Sequence, residues 1–322
     1  MGQRRSRVGA LAAALCTALV LAGCGGGGTA GPGGGSLAAV DLSGATFAVG
    51  SKEFTEQIVL GEIAVQALQA TGATVKPLTT ITGTTNVRTA LTSGALDMYW
   101  EYSGTGWSTH LKREVKDAPK DPVQLYDQVK QADAANGVAW LAMAPLNNSY
   151  AMGISEAKSK ELNITTMSQY ATYATQNAGQ ASICAAAEFL TRDDGLPGVA
   201  KTYGFAVPPV AVAELELSLV PPETAKAQRC LIGEITTTDG AVSANKLLVL
   251  TDDKKAFFDY NAAMTVRKQV LDANPKLADV FNPIAAKLTT DAVRALNEKV
   301  DVGGELPEDV AKEWLQQNGF VA

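Results

Sequence analysis

The sequence predicts a two-lobed α/β protein in which each lobe is a largely parallel sheet wrapped by helices and the chain crosses between lobes twice. Three observations carry this expectation. Short apolar runs of strand length alternate with amphipathic helical stretches from Phe47 onward, the β-α-β rhythm of parallel sheets. The rhythm passes through two similar cycles without a tandem repeat, and 322 residues suffice for two cores. Strand character then returns in the LLVL run from Leu247 and is followed by helices up to Phe320, as expected of a chain re-entering its first lobe. The boundaries that follow are 45–147 plus 245–322 for lobe 1 and 148–244 for lobe 2, with a two-crossing hinge between them.

The first 44 residues lie outside that plan. Arg4, Arg5 and Arg7 precede an apolar run to Leu21 and then small residues, the pattern of a secretory signal peptide over residues 1–23. Leu21-Ala22-Gly23-Cys24 resembles the bacterial lipobox, so Cys24 is expected to carry a lipid, with residues 24–44, rich in glycine at their start, as a tether. The expected location is therefore extracytoplasmic, on the outer face of the cell membrane, reached through the lipid only. No other apolar run is long enough to span a bilayer.

Composition narrows the chemistry. The formal net charge is −6, and no Lys/Arg cluster is present, which argues against a nucleic-acid partner. His110 is the single histidine, which leaves almost no material for a histidine metal site or a proton relay, and neither metal nor cofactor is expected. Of four cysteines, Cys16 leaves with the signal peptide and Cys24 is the lipid site. In an oxidising compartment the remaining Cys184 and Cys230 suggest one disulfide, with two separate buried thiols as the alternative.

Element by element, Phe47 and Val49 share one face of the first strand, and GSKEFTEQ turns into a helix. Its Leu60, Ile63, Ala64, Ala67 and Leu68 follow i, i+3, i+4 spacing before Gly72. Thr55 is placed to cap that helix, with Phe54 and Val59 as a hydrophobic staple. A strand at Val75–Leu78, a short helix through Val87–Leu91 and a strand entry at Ala95–Tyr99 complete the first cycle. The second reads as a helix at Pro122–Ala135, strands at Val138–Met143 and Tyr150–Ile154, and a strand near Val210–Leu215. Ligands of open α/β lobes sit at loops beyond the strand carboxyl ends, which is where SKEFTEQ, EYSGT, AEFLTRDDG and TTTDG fall.

One stretch concentrates aromatic side chains: DMYWEYSGTGW, residues 97–107, in a chain with 6% aromatics. Strand alternation puts Trp100 with Tyr102 and Tyr99 with Asp97, so they cannot all face one cleft, and Trp100 and Trp107 stay unassigned. Taken in order, VGSKEFTEQIVLGEIAVQAL, GTTNVRTAL, SGALDMYWEYSGT, AEFLTRDDGLPGVAKTYGF and GEITTTDG resemble the extracytoplasmic substrate-binding proteins of osmoprotectant ABC transporters. The likeness runs from about Phe47 to the C-terminus. It implies a type II periplasmic-binding-protein-like fold and a monomer that does no covalent chemistry. It also implies a small quaternary ammonium solute (glycine betaine, choline, carnitine or proline betaine), and an ABC permease with its ATPase as partners.

Carried over residue by residue, the resemblance places Tyr102, Tyr150 and Tyr260 as walls of an aromatic cage. Thr236 stands where the family often has a further tyrosine, which implies a weaker cage or one widened for a larger ligand. The resemblance points to Lys52, Thr105 and Arg192 for a solute carboxylate. Glu188 and Asn148 fall near the family pocket, where they would orient Arg192 or lock the closed cleft. Physical chemistry runs the same way: a cation that donates no hydrogen bond is held by aromatic faces, each contributing about 0.5–2 kcal/mol. Lys52 sits at a strand-to-helix turn whose free N–H groups favour an anion, and arginine grips a carboxylate with two prongs.

Three other readings compete. One is a lipoprotein for another small solute, such as an amino acid or polyamine. A second is a lipoprotein that only binds a partner or wall polymer. The third is an exported hydrolase using Ser103 or Thr105 with His110 and an acid such as Asp97, for which no nucleophile-elbow pattern is present. The expectation is a binding protein and not an enzyme.

Overall fold

The computed structural model describes residues 34–322, which form two five-stranded sheets, each with its own core. The expected signal peptide and the lipid site Cys24 lie outside the described residues. In chain order the strands are β1 (Thr46–Lys52), β2 (Thr74–Ile81), β3 (Met98–Tyr102), β4 (Val138–Asn147) and β5 (Tyr150–Ser155). They continue with β6 (Ile183–Ala185), β7 (Val212–Glu214), β8 (Ile232–Thr236), β9 (Leu247–Val249) and β10 (Asn261–Arg267). The first sheet runs β2-β1-β3-β10-β4 and the second β7-β6-β8-β5-β9.

Both sheets follow one plan. β1 is parallel to β2 and β3, with β10 antiparallel between β3 and β4. β6 is parallel to β7 and β8, with β5 antiparallel between β8 and β9. In each sheet the antiparallel strand is the one that follows a crossing, so each lobe is completed by a strand arriving directly from the other.

The second crossing corrects the expected boundary. β9 pairs with β5 through Gly153↔Val249, Ile154↔Leu248 and Ser155↔Leu247, so the chain is still in the second lobe after residue 245. The return runs through the stretch 250–260. An apolar run of strand length announces a strand but not its neighbour, and LLVL suited either sheet.

The amino-terminal part of the described chain also departs from expectation. Within the proposed tether, the amides of Ser36 and Leu37 donate to the carbonyls of Gly319 and Phe320 at 2.9 and 3.1 Å, and Leu37 and Leu42 are buried in the first core. These two leucines turn residues 36–42 into a docked segment.

β3 is buried at every position because β1 and β10 flank it and cores cover both its faces. Trp100 and Tyr102 enter the core beneath α1 (Thr55–Ala70), and Tyr99 enters the one on the opposite face. Thr55 is the first residue of α1 and not its cap: Phe54 holds the cap position, and the Thr55 hydroxyl donates to Asp301 at 2.6 Å. A second helix, α2 (Thr84–Ser93), stands between β2 and β3 in the chain and begins at the edge of the interlobe region. Cys184 in β6 and Cys230 just before β8 form a disulfide with a Cα separation of 5.5 Å. No helix among the described residues is long and apolar enough to cross a membrane.

Candidate functional site

β3 delivers Tyr102 at its carboxyl end, where a helical turn begins at Ser103–Thr105. Glycine at 104 is required by packing, since a Cβ there would lie 2.6 Å from the ring of Tyr260. The Tyr102 hydroxyl donates to Glu56 Oε1 at 2.7 Å, and its ring stacks on Phe54 with centroids 6.4 Å apart. Glu56 also accepts from Asn148 Nδ2 at 2.9 Å and Asn297 Nδ2 at 3.2 Å, so one carboxyl ties the first turn of α1 to β3, the first crossing and helix Thr290–Asp301. Burial raises the Glu56 pKa, and its hydrogen bonds to Thr238, Tyr102, Asn297 and Asn148 offset this only in part.

Lys52, at the end of β1, is buried, with Nζ 5.3 Å from the Tyr102 centroid. Nζ donates to Glu101 Oε1 at 2.8 Å, which uses one ammonium hydrogen and leaves two without a partner among the described residues. Glu101 is also held by His110 Nε2 at 2.8 Å and by the Tyr99 hydroxyl at 2.9 Å. Burial would raise the Glu101 pKa, but the charges and hydrogen bonds of Lys52 and His110 bring it well below the usual range. Thr105 is buried in the same turn, and its hydroxyl has no partner among the described residues.

The second lobe supplies Tyr150, the first residue of β5, whose ring centroid lies 5.3 Å from that of Tyr260, edge to face. Phe189 and Phe257 flank it at 5.0 and 6.5 Å. Arg192 Cζ lies 5.9 Å from the Tyr150 centroid. Its Nε and Nη2 are bonded to Asp194 at 2.7 and 2.5 Å. Asp194 also accepts from the Tyr260 hydroxyl at 2.7 Å and from Ser108 Oγ at 2.6 Å, which bridges the lobes. Burial pushes the Asp194 carboxyl up, and Arg192, Ser108 and Tyr260 more than reverse it. Glu188 contacts Arg192 Nη1 at 3.5 Å and accepts from Thr84 N and Oγ1 in the first lobe at 2.6 and 3.0 Å.

Two clusters therefore meet at the crossings: Tyr102, Lys52, Glu56 and Asn148 in one, Tyr150, Tyr260, Arg192 and Asp194 in the other. Gly104 against Tyr260 and the chain step from Asn148 to Tyr150 join them. Thr236 stands opposite Tyr150 in the β5–β8 register, its hydroxyl 3.4 Å from that of Thr238. Neither cation is free: Lys52 and Arg192 both carry a buried carboxylate partner.

Other candidates lie elsewhere. Trp100 is core, packed edge-on against Phe281, and Trp107 Nε1 donates to the Glu114 carbonyl at 2.9 Å. The hydrolase arrangement does not assemble: His110 Nε2 is engaged by Glu101 and Tyr99 and not by Ser103 or Thr105, Ser103 Oγ is bonded to the Asp259 carbonyl and the Asn261 amide, and Asp97 pairs with Arg267. Sequence reasoning did not single out Glu56, Asp194, Phe189 or Phe257. The FFDY run that ends at Tyr260 was the available signal for Phe257.

Residues 45–317 match the family model described as the substrate binding domain of an ABC-type glycine betaine transport system. A glycine-betaine-binding protein of Pseudomonas aeruginosa is 35% identical over 279 residues, covering 85% of this chain and 88% of that protein. The glycine betaine-binding protein YehZ of Escherichia coli is 32% identical, over 88% of this chain and 95% of its own length. A solved structure of apo YehZ superposes with a TM-score of 0.63 at 31% identity, covering 86% of this chain and 99% of that one.

Proposed function

The chain belongs to the family of substrate-binding domains of ABC-type glycine betaine transport systems, and from that premise we propose that it captures a quaternary ammonium solute between its lobes. The observation that carries this reading is the convergence of Tyr102, Tyr150 and Tyr260 on the two crossings, among buried carboxyls and half-satisfied donors. The ring faces receive the cation, at about 0.5–2 kcal/mol each. The two remaining Lys52 hydrogens, the Thr105 hydroxyl and Arg192 receive a carboxylate, with Glu101 and Asp194 holding the two cations in place. Thr236 leaves one side of the cage without a ring.

In this reading the protein works outside the cytoplasm as a monomer, anchored by lipid on Cys24. It hands its solute to a membrane permease driven by a separate ATPase. It performs no covalent step. Closure joins the lobes over the solute, as in other hinge-bending receptors.

Titration calorimetry with glycine betaine, proline betaine, carnitine, choline, amino acids and polyamines tests it. The expected outcome is saturable binding of at least one quaternary ammonium solute near the micromolar range, about 8 kcal/mol. Binding confined to amino acids or primary polyamines would overturn the reading.

A further inference from the structure

The geometry points to Glu188 as a latch that holds the two lobes together, not as a solute contact. This inference rests on the solute-capture reading for its consequence but on interlobe geometry for its support. α2 begins after Gly83, a residue with positive φ and no side chain to offer the unpaired N–H groups of the first turn. The chain leaves that end uncapped locally. Glu188 fills the role from 104 residues away: Oε1 accepts the Thr84 amide at 2.6 Å and Oε2 the Thr84 hydroxyl at 3.0 Å. A carboxylate is the group that a helix N-terminus favours.

The two partners belong to different bodies. Thr84 opens a helix packed on the first sheet, while Glu188 lies in helix Ala187–Thr191, which follows β6 of the second. Any hinge opening that parts the lobes must break both hydrogen bonds. Both carboxylate oxygens are engaged by Thr84, and Arg192 Nη1 lies 3.5 Å from Oε2, so the latch abuts the Arg192–Asp194–Tyr260 chain. Its strength therefore enters the open–closed equilibrium directly and slows solute escape without selecting among solutes.

The test pairs two readouts on the mature protein carrying donor and acceptor dyes on the two lobes. Glu188→Ala should raise the dissociation rate of a bound quaternary ammonium solute by about five- to tenfold, leave the association rate near its original value and keep the order of solute preference. The closed fraction without solute should fall. Thr84→Val, which removes only the hydroxyl on the opposite lobe, should act in the same direction with a smaller effect. A changed order of solute preference, or an unchanged solute-free closed fraction, would overturn the latch. If the unsubstituted protein bound no quaternary ammonium solute, the functional reading would fail, and the solute-free comparison would still decide the latch.

Discussion

Glu234 is 2% exposed on β8, paired in register with Met152 and on the same face as Tyr150 and Thr236. The Ala186 amide donates to its Oε2 at 2.7 Å. Burial pushes its pKa up to about 8, against the opposing pull of the Ala186 amide and the Arg192 charge. The unfolded chain releases the same proton near an ordinary glutamate value of about 4.3. Between about pH 4 and pH 8 the folded state therefore binds the extra proton, and stability falls as pH rises through that window. Glu234→Gln keeps the acceptor for Ala186 and removes the titration, so its melting temperature should exceed that of the parent near pH 8 and match it closely near pH 4. Equal melting temperatures at both values would contradict this assignment. Tyr102, Tyr150, Tyr260 and Arg192 could be singled out as candidates because they sit in ordered motifs. Asp194, Glu56 and Glu234 were not, because an isolated acid does not announce its partners: Tyr260 is 66 residues from Asp194, and Asn297 is 241 from Glu56.

Among the elements, β1, α1, β2, α2 and β3 were legible because apolar period and turn residues act locally. Their partners were not. β9 reads as a strand from its own side chains, yet only its pairing with β5 reveals that it belongs to the second sheet. The Thr55 cap failed for a related reason, since Asp301 competes for its hydroxyl from a distant helix. The disulfide constrains the second lobe by closing a span of 46 residues between β6 and the approach to β8. On a chain-entropy account that closure contributes about 4 kcal/mol. Replacing both cysteines by serine should lower the denaturation midpoint by a corresponding amount while leaving β6 and β8 paired. An unchanged midpoint in denaturant titration would contradict the account.

At the scale of the whole molecule, the exchange of β5 and β10 between lobes explains why the site lies where it does. Each exchanged strand adjoins a crossing, so Asn148, Tyr150 and Tyr260 are carried to the junction by the same topology that builds the sheets. The contacts across it include Ser108 to Asp194, Thr84 to Glu188 and Arg294 to the Thr237 carbonyl at 2.8 Å, beside the ring contact of Tyr150 with Tyr260. In the proposed capture and delivery, hinge opening would break these polar contacts and closure would remake them. In the proposed site, ring faces recognise a positive charge. Calorimetry comparing choline with 3,3-dimethylbutanol, in which carbon replaces nitrogen and shape is retained, tests it most directly. Cation recognition predicts that the neutral analogue binds at least about a hundredfold more weakly, whereas equal affinity for the two would contradict it.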